Sequence, residues 1–330
     1  MVTRWLVLGL GVLALTVPAL MITGTRLVEP AGGQWVRLVA FTPHAIVLYL
    51  LALVLLLVAL VAGRGAWRRA GGWSCVLVVP LLALHLFWVG GQYVGAEEVV
   101  EGTGRPFTVM SANLRFGQAD PGRVVALALE HDADVVVLQE VTPRAEARMR
   151  KEGLARAYPF AEGQARSGVA GTMVFSVHRL SDVTALDTKF QGFSMRVRLP
   201  KDALTLLAVH PPPPTGDALE WRADHATIRR AAAATNGTTV VAGDLNATLD
   251  HMPLREFDGR GLKDAAELAD SGWQPTWPAS GEVSLLGVGV PPMLAIDHVL
   301  VDDSLAVVDT AAVSVPGTDH RALFATLVLE

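Results

Sequence analysis

Three apolar runs near the amino terminus constrain the fold of this chain more than any other feature. Residues 5–23, 44–62 and 73–90 contain no Asp, Glu, Lys or Arg. Each run is close to the ~20 residues that a helix needs to cross a bilayer. The runs are apolar on every face rather than along one stripe, which favours membrane spans over buried core helices. The sequence therefore predicts an α-helical membrane anchor of three transmembrane helices in residues 1–94.

The first run has a second interpretation, as a cleavable signal peptide. Arg4 followed by an apolar stretch fits the start of such a peptide. No clear small-x-small cleavage site precedes Glu29, however, so we expect the first run to be retained as a span.

The arginines between the runs predict the orientation of the anchor. Arg64, Arg68 and Arg69 lie between the second and third runs, and short loops rich in Lys and Arg stay in the cytoplasm. Arg26 and Arg37 in the first loop weaken this assignment, although Glu29 lies between them. We therefore expect a multi-pass protein of the cell membrane whose remaining residues form an extracytoplasmic domain.

The charge is divided unevenly along the chain. The first 100 residues hold six arginines and three glutamates, and the remaining residues hold 21 basic and 29 acidic side chains. The second part therefore has a net charge of −8. Binding to nucleic acid depends on Lys and Arg that neutralise phosphates, so this balance makes nucleic acid an unfavourable partner. Cys75 is the single cysteine, which excludes an intrachain disulfide.

After a polar linker in residues 95–106, the pattern in residues 107–330 changes to short apolar runs that alternate with helical stretches. The predicted strands are FTVMSAN, ADVVVLQEV, GTMVFSV, LTLLAVH, TTVVAGDLN, AIDHVLV and RALFATLVLE, and the predicted helices are PGRVVALALEHD and DALEWRADHATIRRAAAAT. The mixture indicates sheets covered by helices, an α/β or α+β domain.

Several of the predicted strands begin or end in residues that can carry chemistry. These residues are Asn113, Glu140, His210, Asp244, Asn246, Asp297, Asp319 and His320. Any one of them alone is more often a turn former or a helix cap. Because the ends of neighbouring strands lie side by side, the ordered series predicts one polar pocket on a rigid scaffold.

The residue types in this series suit metal-assisted chemistry on a phosphate. Carboxylates and an amide oxygen without cysteine favour Mg²⁺ or Mn²⁺ over zinc. Histidines beside acids can hydrogen-bond a phosphoryl oxygen or move a proton. A metal that neutralises phosphate charge, together with a base that orients water, is what hydrolysis of a phosphoester requires.

The motifs SANLR, LQEV, VH, GDLN, IDHVLV and TDHRALFA resemble the successive motifs of the endonuclease/exonuclease/phosphatase family. That family includes DNase I, abasic-site endonucleases, inositol-polyphosphate 5-phosphatases and neutral sphingomyelinases. The resemblance spans about residues 105–330 and keeps the family order of the motifs. It implies a DNase I-like four-layer sandwich, in which two packed sheets lie between helices.

The resemblance also implies a metal site. Asn113 and Glu140 are expected to hold the divalent cation, Mg²⁺ or Mn²⁺. Asp319 is expected to contribute to the metal site or to orient the attacking water, and Asp244 to position or activate that water.

The remaining motif residues are implied to bind the substrate phosphate. Asn246 and His210 are expected to hold the scissile phosphate. Asp297 is expected to orient His320 and to favour its charged form. His320 is then expected to contact the phosphoryl group in the transition state.

The sequence departs from the family pattern at two places. Thr318 stands where the last motif often has Ser, and it keeps the hydroxyl. Ser176 is followed by Val177 and, two residues later, Arg179, whereas the family often has Ser-Arg. This difference removes the expectation that an arginine there contacts the substrate.

Three spans before such a domain, with the segments GTMVFS and TWPA, further resemble the VanJ-type teicoplanin-resistance membrane proteins. This second resemblance implies a role in glycopeptide resistance, with undecaprenyl pyrophosphate as the expected lipid-linked substrate. One interpretation of Trp221, Trp273 and Trp277 is a rim that faces lipid, but for each residue singly an ordinary core or surface aromatic is the favoured interpretation.

Three alternatives to the lipid-directed phosphoesterase stay open. One is a membrane-tethered extracellular nuclease. Another is a phosphodiesterase that resembles phospholipase C or sphingomyelinase. The last is a non-catalytic binding receptor, which is disfavoured because the polar motif residues are intact.

Overall fold

The chain divides into two compact units. The computed structural model describes residues 2–30, 32–94, 105–259, 261–279, 281, 283–285 and 287–329. The first, helical unit comprises Met1–Gly91 with Asp250–Met252, and the second unit comprises Gln92–Leu249 with Pro253–Glu330. Residues 92–94, which the sequence assigned to the anchor, thus belong to the second unit. Residues 95–104 of the predicted linker lie outside the described residues.

The helical unit contains α1 (Val2–Val28), α2 (Gly33–Val39), α3 (Thr42–Ala62) and α4 (Ala66–Gly90). α1, α3 and α4 are long and apolar enough to cross a membrane. Their outer faces keep large apolar side chains exposed, among them Val61 at 82% and Phe87 at 79%. Arg68 and Arg69, predicted in a loop, lie instead in the first turn of α4.

The interior of the helical unit contains a short polar network around His85, which is fully buried. Its Nδ1 lies 2.9 Å from the carbonyl oxygen of Thr42, and its Nε2 lies 2.9 Å from the hydroxyl of Thr23. The Thr23 hydroxyl also lies 2.7 Å from that of Tyr49. These contacts connect three helices and satisfy polar groups that would be costly to bury unpaired.

The second unit is built on two six-stranded sheets. In chain order its elements are β1 (Phe107–Asn113), α5 (Pro121–Glu130), β2 (Ala133–Gln139), α6 (Pro143–Lys151), α7 (Leu154–Ala157), β3 (Phe160–Gln164), β4 (Thr172–Ser176), β5 (Arg179–Ala185), β6 (Phe193–Arg198), β7 (Ala203–Val209), α8 (Ala218–Ala233), β8 (Thr239–Asp244), α9 (Met252–Asp258), β9 (Lys263–Asp264), α10 (Ala265–Leu268), β10 (Ser284–Leu285), β11 (Val288–Gly289), β12 (Asp297–Val301), β13 (Leu305–Ser314) and β14 (Arg321–Leu329). The first sheet has the order β13-β14-β1-β2-β4-β3 and the second β5-β6-β7-β8-β12-β9, while β10 and β11 form a separate hairpin. β1–β2 and β7–β8 are parallel pairs in otherwise antiparallel sheets. Two mixed sheets packed with helices confirm the predicted fold class.

Local signals set the starts of the helices that cover the first sheet. α5 begins at Pro121 as predicted, and the Asp120 side chain accepts the N–H of Arg123. α6 begins in the same way, with Thr142 as the capping residue before Pro143. A side-chain acceptor at the cap and proline in the first turn are favourable at a helix start, because the first N–H groups have no partner within the helix.

The core between the two sheets positions the site. Alternate residues of a strand face the same side, and on five strands this inward series changes from apolar to polar toward one end. The series are Phe107, Val109, Ser111 and Asn113 on β1; Val135, Val137 and Gln139 on β2; Leu206, Ala208 and then His210 after β7; Val240, Ala242 and Asp244 on β8; and Val301, Val299 and Asp297 on β12. The inter-sheet core therefore ends at one edge in a cluster of buried polar side chains.

Candidate active site

The end of β1 brings an amide between two carboxylates. The Nδ2 of Asn113 donates to Asp244 Oδ2 at 2.9 Å and to Glu140 Oε1 at 3.2 Å. Its Oδ1 accepts the N–H of Arg115 at 2.9 Å, and the N–H of Phe116 donates to Glu140 Oε2 at 2.6 Å. Residues far apart in sequence thus form one hydrogen-bonded group.

Backbone strain is concentrated around this group. Arg115, Phe116, Glu140 and Asn246 have φ angles of 45°, 54°, 55° and 47°. Residues other than glycine rarely adopt this left-handed region, and such residues cluster at functional sites where surrounding contacts hold them. The hydrogen bonds that Glu140 and Asn246 make are contacts of this kind.

Asp244, Asp297 and His320 form the buried centre of the site. The His320 Nδ1 lies 2.9 Å from Asp297 Oδ2, and its Nε2 lies 3.8 Å from Asp244 Oδ2. The two aspartates are directly paired across β8 and β12. His210 approaches the same carboxylate, with its Nε2 3.6 Å from Asp244 Oδ2. The two histidines therefore flank Asp244.

The charges in this cluster favour a protonated His320. Burial alone would lower the pKa of His320, but the carboxylates of Asp297 and Asp244 outweigh burial and raise the pKa to about 10. Burial would raise the pKa of Asp244, but His320 and His210 outweigh it and lower that pKa to about 2. Burial raises the pKa of Asp297, and the Asp244 carboxylate adds to this rise. At neutral pH an imidazolium thus lies beside an ionised Asp244.

Asp319 lies at the more open side of the site. Its Oδ2 accepts the indole N–H of Trp277 at 3.1 Å, and its Oδ1 lies 3.8 Å from Arg115 Nε. The preceding Thr318 donates its hydroxyl to the carbonyl oxygen of Asn113 at 2.8 Å. The threonine hydroxyl therefore ties the last motif to the end of β1.

The loop after β8 carries Asn246. Its N–H donates to Asp244 Oδ1 at 2.8 Å, and its Nδ2 donates to the carbonyl oxygen of Pro211 at 3.0 Å. Gly243, which precedes Asp244, is required by close packing, because a Cβ there would overlap the carbonyl oxygen of Val209. The approach of β7 and β8 at this glycine brings the residues that follow both strands together.

The donor set fits a divalent cation. Asn113, Glu140 and Asp319 offer oxygen atoms without a thiol, which suits Mg²⁺ or Mn²⁺. Ligand atoms of Asp244, Asp297 and His320 also lie within 4.8 Å of one another. The described residues thus offer two candidate cation sites, and the oxygen ligands beside Asn113 are the set that matches the preference of Mg²⁺ and Mn²⁺.

The burial of the three tryptophans tests whether they form a rim that faces lipid. Trp221 is only 1% exposed. Its indole N–H donates to the carbonyl oxygen of Asn246 at 3.1 Å. The interpretation as a lipid-facing rim is therefore wrong for Trp221, because α8 turns this residue toward the sheet. Trp273 and Trp277 are half-buried.

The segment at Ser176, where the family often has Ser-Arg, lies away from the site. Ser176 pairs with Val135, whereas Thr172, at the other end of β4, pairs with Gln139. Ser176 is four residues along the strand from Thr172, which places it roughly 13 Å from the polar edge. This distance explains how the site tolerates the loss of the usual Ser-Arg sequence.

Sequence reasoning missed several residues around the site. Arg115, Phe116, His225 and His298 contact the motif residues or the loop that carries them. Arg115 is the last residue of the SANLR motif and Phe116 follows it, so their position in the sequence was a signal for both. The signal for His225 was weaker. It lies four residues after Trp221, on the same buried face of α8.

Comparisons with solved structures support the fold. The chain is similar to an endonuclease/exonuclease/phosphatase from Beutenbergia cavernae, with 21% identity and a TM-score of 0.54 over 68% of this chain and 72% of that one. It is also similar to D. rerio TDP2 complexed with a single-strand DNA product, with 15% identity and a TM-score of 0.55 over 67% and 98% of the two chains. A Bacteroides vulgatus protein has 17% identity and a TM-score of 0.54 over 68% and 100%.

A search of curated proteins finds no match. The model of the endonuclease/exonuclease/phosphatase family matches residues 110–320, which is more than half of the chain. This range includes each of the strand-end residues that the sequence singled out, from Asn113 to His320. The chain therefore belongs to the endonuclease/exonuclease/phosphatase family.

Proposed function

We propose that this protein is a membrane-anchored, divalent-metal-dependent phosphoesterase that hydrolyses a lipid-linked phosphate. Membership of the family supports a hydrolase of the phosphoesterase type. The observation that carries the proposal is the position of His320, 2.9 Å from Asp297 and 3.8 Å from Asp244, beside the oxygen ligands of Asn113 and Glu140.

The side chains divide the work of hydrolysis. Asp244, ionised because its pKa is low, accepts a hydrogen bond from the attacking water and orients it. The His320 imidazolium donates to a phosphoryl oxygen as negative charge develops there. Asn246 and His210 hold the phosphate, and Asp297 keeps the His320 ring in place. A bound Mg²⁺ or Mn²⁺, held by the oxygen ligands, supplies further positive charge to the phosphate.

Charge and hydropathy support a lipid substrate. The part of the chain after residue 100 has a net charge of −8, so the electrostatic field does not favour approach of a polyanion. Residues 283–296 contain no charged side chain, and the β10–β11 hairpin within them leaves Val288 70% exposed. An exposed apolar hairpin between Trp277 and Asp297 in the sequence suits a site that acts at a lipid surface.

The specific substrate that we propose is undecaprenyl pyrophosphate, with a role in teicoplanin resistance. This proposal rests on the VanJ-type resemblance. It also requires the three apolar helices to anchor the protein in the cell membrane with the second unit outside the cytoplasm, where the lipid carrier exposes its pyrophosphate after glycan transfer.

A membrane-tethered nuclease is the second candidate. One observation favours it, the fold similarity to TDP2 complexed with a DNA product. A phosphodiesterase of the phospholipase C or sphingomyelinase kind uses the same ligand set. A binding receptor is disfavoured because the acidic and histidine residues of the site are in hydrogen-bonding reach of one another.

A phosphate-release screen of the detergent-solubilised protein tests the proposal. The substrates are polyprenyl phosphates and pyrophosphates, phospholipids and DNA, each with Mg²⁺ and with excess chelator. We expect metal-dependent release from a polyprenyl substrate. Equal rates after exhaustive chelation would contradict the metal dependence, and no turnover of any substrate would favour the receptor.

A further inference from the structure

Three buried aromatic rings bind three consecutive carbonyl groups in the loop after β8. The His225 Nε2–H donates to Leu245 O at 2.9 Å, and the Trp221 Nε1–H donates to Asn246 O at 3.1 Å. The His298 Nε2 lies 2.8 Å from the carbonyl oxygen of the next residue, Ala247. Because a carbonyl oxygen can only accept, the ring nitrogen is the donor in each case.

The three donors are on rigid, buried elements. Trp221 and His225 lie one helical turn apart on α8, and His298 lies on β12. Their exposed fractions are 1%, 0% and 2%. The Nδ1 of His298 lies 2.7 Å from Asp264 Oδ2, so both nitrogens of this ring face acceptors. The ring is therefore fixed in one orientation.

The bound carbonyls belong to the loop that carries two proposed site residues. Asp244 ends β8, and Asn246 follows it with a φ of 47°. A peptide group is planar, so fixing one carbonyl direction also fixes the adjoining N–H. Three fixed peptide planes leave the loop little freedom, and they hold Asn246 in a conformation that is costly for a residue other than glycine.

We propose that Trp221, His225 and His298 are positioning residues, which hold the loop so that Asp244 and Asn246 keep their reactive geometry. Packing alone would require only apolar rings of the same size. Ring donors matched one to one with consecutive carbonyls point to control of the loop conformation. The catalytic consequence rests on the proposed phosphoesterase function, whereas the effect on the loop does not.

The substitution Trp221→Phe separates the two interpretations, because it removes the ring N–H and keeps a large aromatic side chain. The matched control is Tyr158→Phe, which removes a polar group from another buried ring. Tyr158 is 2% exposed and lies in the apolar core between the first sheet and its helices. Both variants are made in the full chain, and circular dichroism establishes that each is folded.

Hydrogen exchange measured by mass spectrometry on a peptide covering residues 243–249 is the first readout. We expect exchange in this peptide to be about five- to tenfold faster in Trp221→Phe, the ratio that corresponds to one lost buried hydrogen bond. Tyr158→Phe is expected to leave it unchanged. Unchanged exchange in Trp221→Phe would overturn the proposal, whether or not the protein hydrolyses any substrate.

Kinetics with bis(p-nitrophenyl) phosphate and Mg²⁺ give the second readout. We expect kcat to fall by ~10- to 10²-fold in Trp221→Phe, because small displacements of reacting groups are costly, while KM changes less than about twofold. Faster exchange with an unchanged kcat would show that the rings hold the loop without serving the reaction, and would overturn the positioning role. A wild-type protein that hydrolyses neither this diester nor any polyprenyl substrate of the phosphate-release screen would contradict the proposed function instead.

Discussion

His320 is the residue on which the proposed chemistry depends most. Its ring lies between two carboxylates and is 7% exposed. The carboxylates outweigh the effect of burial and raise the pKa of His320 to about 10. A cation that stays charged at neutral pH can stabilise a phosphoryl oxygen without first taking a proton from water. The neighbouring Asp244 stays ionised for the complementary reason.

The first prediction concerns these two residues. His320→Ala and Asp244→Asn are each expected to lower turnover by at least ~10²-fold, the lower range for removing a general acid–base group. Folding is expected to survive, because both residues lie at strand ends rather than in the apolar core.

A second histidine–aspartate pair provides the control. The His178 Nε2 lies 3.2 Å from Asp134 Oδ1, outside the proposed site. His178→Ala is therefore expected to keep turnover near the wild-type value, measured on the same substrate. Near-wild-type turnover in His320→Ala would contradict the role given to that residue.

The second prediction concerns the metal ligands. Chelation is expected to abolish activity, and added Mg²⁺ or Mn²⁺ to restore it. In Glu140→Gln the half-saturating Mg²⁺ concentration is expected to rise by roughly tenfold or more, since a carboxylate ligand is lost. Asp319→Asn is compared in the same titration. A shift there would assign Asp319 to the metal, and an unchanged midpoint would restrict it to orienting water. An unchanged midpoint in Glu140→Gln would contradict the metal assignment.

At the scale of elements, the strands that the sequence predicted are those buried on both faces. β1, β4 and β12 are fully buried along their length, and each contains consecutive apolar residues in its middle or at one end. β5 and β13 were not predicted, because most of their residues are partly or fully exposed and their polar and apolar residues do not form a continuous run. β13 also contains an irregularity in its pairing after Val307, which interrupts the alternation.

The residues of the candidate site also divide into those that the sequence could predict and those that it could not. Asn113 and Asp244 could be predicted because each follows an apolar strand, which is a local signal. The ring donors could not, because the carbonyls they bind lie 20 to 51 residues away in the sequence. The contact between His298 and Ala247 exists only once the second sheet has formed. Local patterns therefore predicted the polar groups that meet at the candidate site and missed the residues that contact the loop carrying them.

The third prediction concerns the β10–β11 hairpin. Cys75 is the single cysteine, so Cys75→Ser gives a background for site-specific labelling. In this background Val288→Cys carries an environment-sensitive fluorophore, and the protein is reconstituted into liposomes. Because the hairpin is apolar and exposed, we expect blue-shifted emission that is quenched by lipid-attached nitroxides.

Val308→Cys is the matched control for this measurement. Val308 is 46% exposed on β13 and is expected to be quenched by aqueous iodide. If the label at position 288 were quenched by iodide as strongly as the control, the hairpin would lie in water, and its support for a lipid substrate would be lost.

At the scale of the whole molecule, hydropathy and charge change together along the chain. The three helices that are long and apolar enough to cross a membrane all precede residue 91. The acidic excess lies beyond residue 100. The sequence could predict this division because both properties depend on composition rather than on tertiary contacts.

The fourth prediction concerns topology. An alkaline phosphatase fused after Glu330 is expected to be active in a bacterial host, because Arg64, Arg68 and Arg69 favour a cytoplasmic connection between the second and third spans. A cytoplasmic reporter fused at the same point serves as the control. Activity of that reporter, with an inactive phosphatase, would reverse the orientation and remove the external lipid carrier as a substrate.

The most direct test of the proposed function is a competition assay with the full-length protein in mixed micelles. The micelles contain polyprenyl pyrophosphate, plasmid DNA is present at a matched phosphate concentration, and Mg²⁺ is supplied to both. We expect phosphate release from the lipid to be faster than cleavage of the plasmid, because the acidic second unit disfavours a polyanion. Both reactions are expected to stop on chelation. Rapid cleavage of DNA with no phosphate released from the lipid would contradict this account and favour the tethered nuclease.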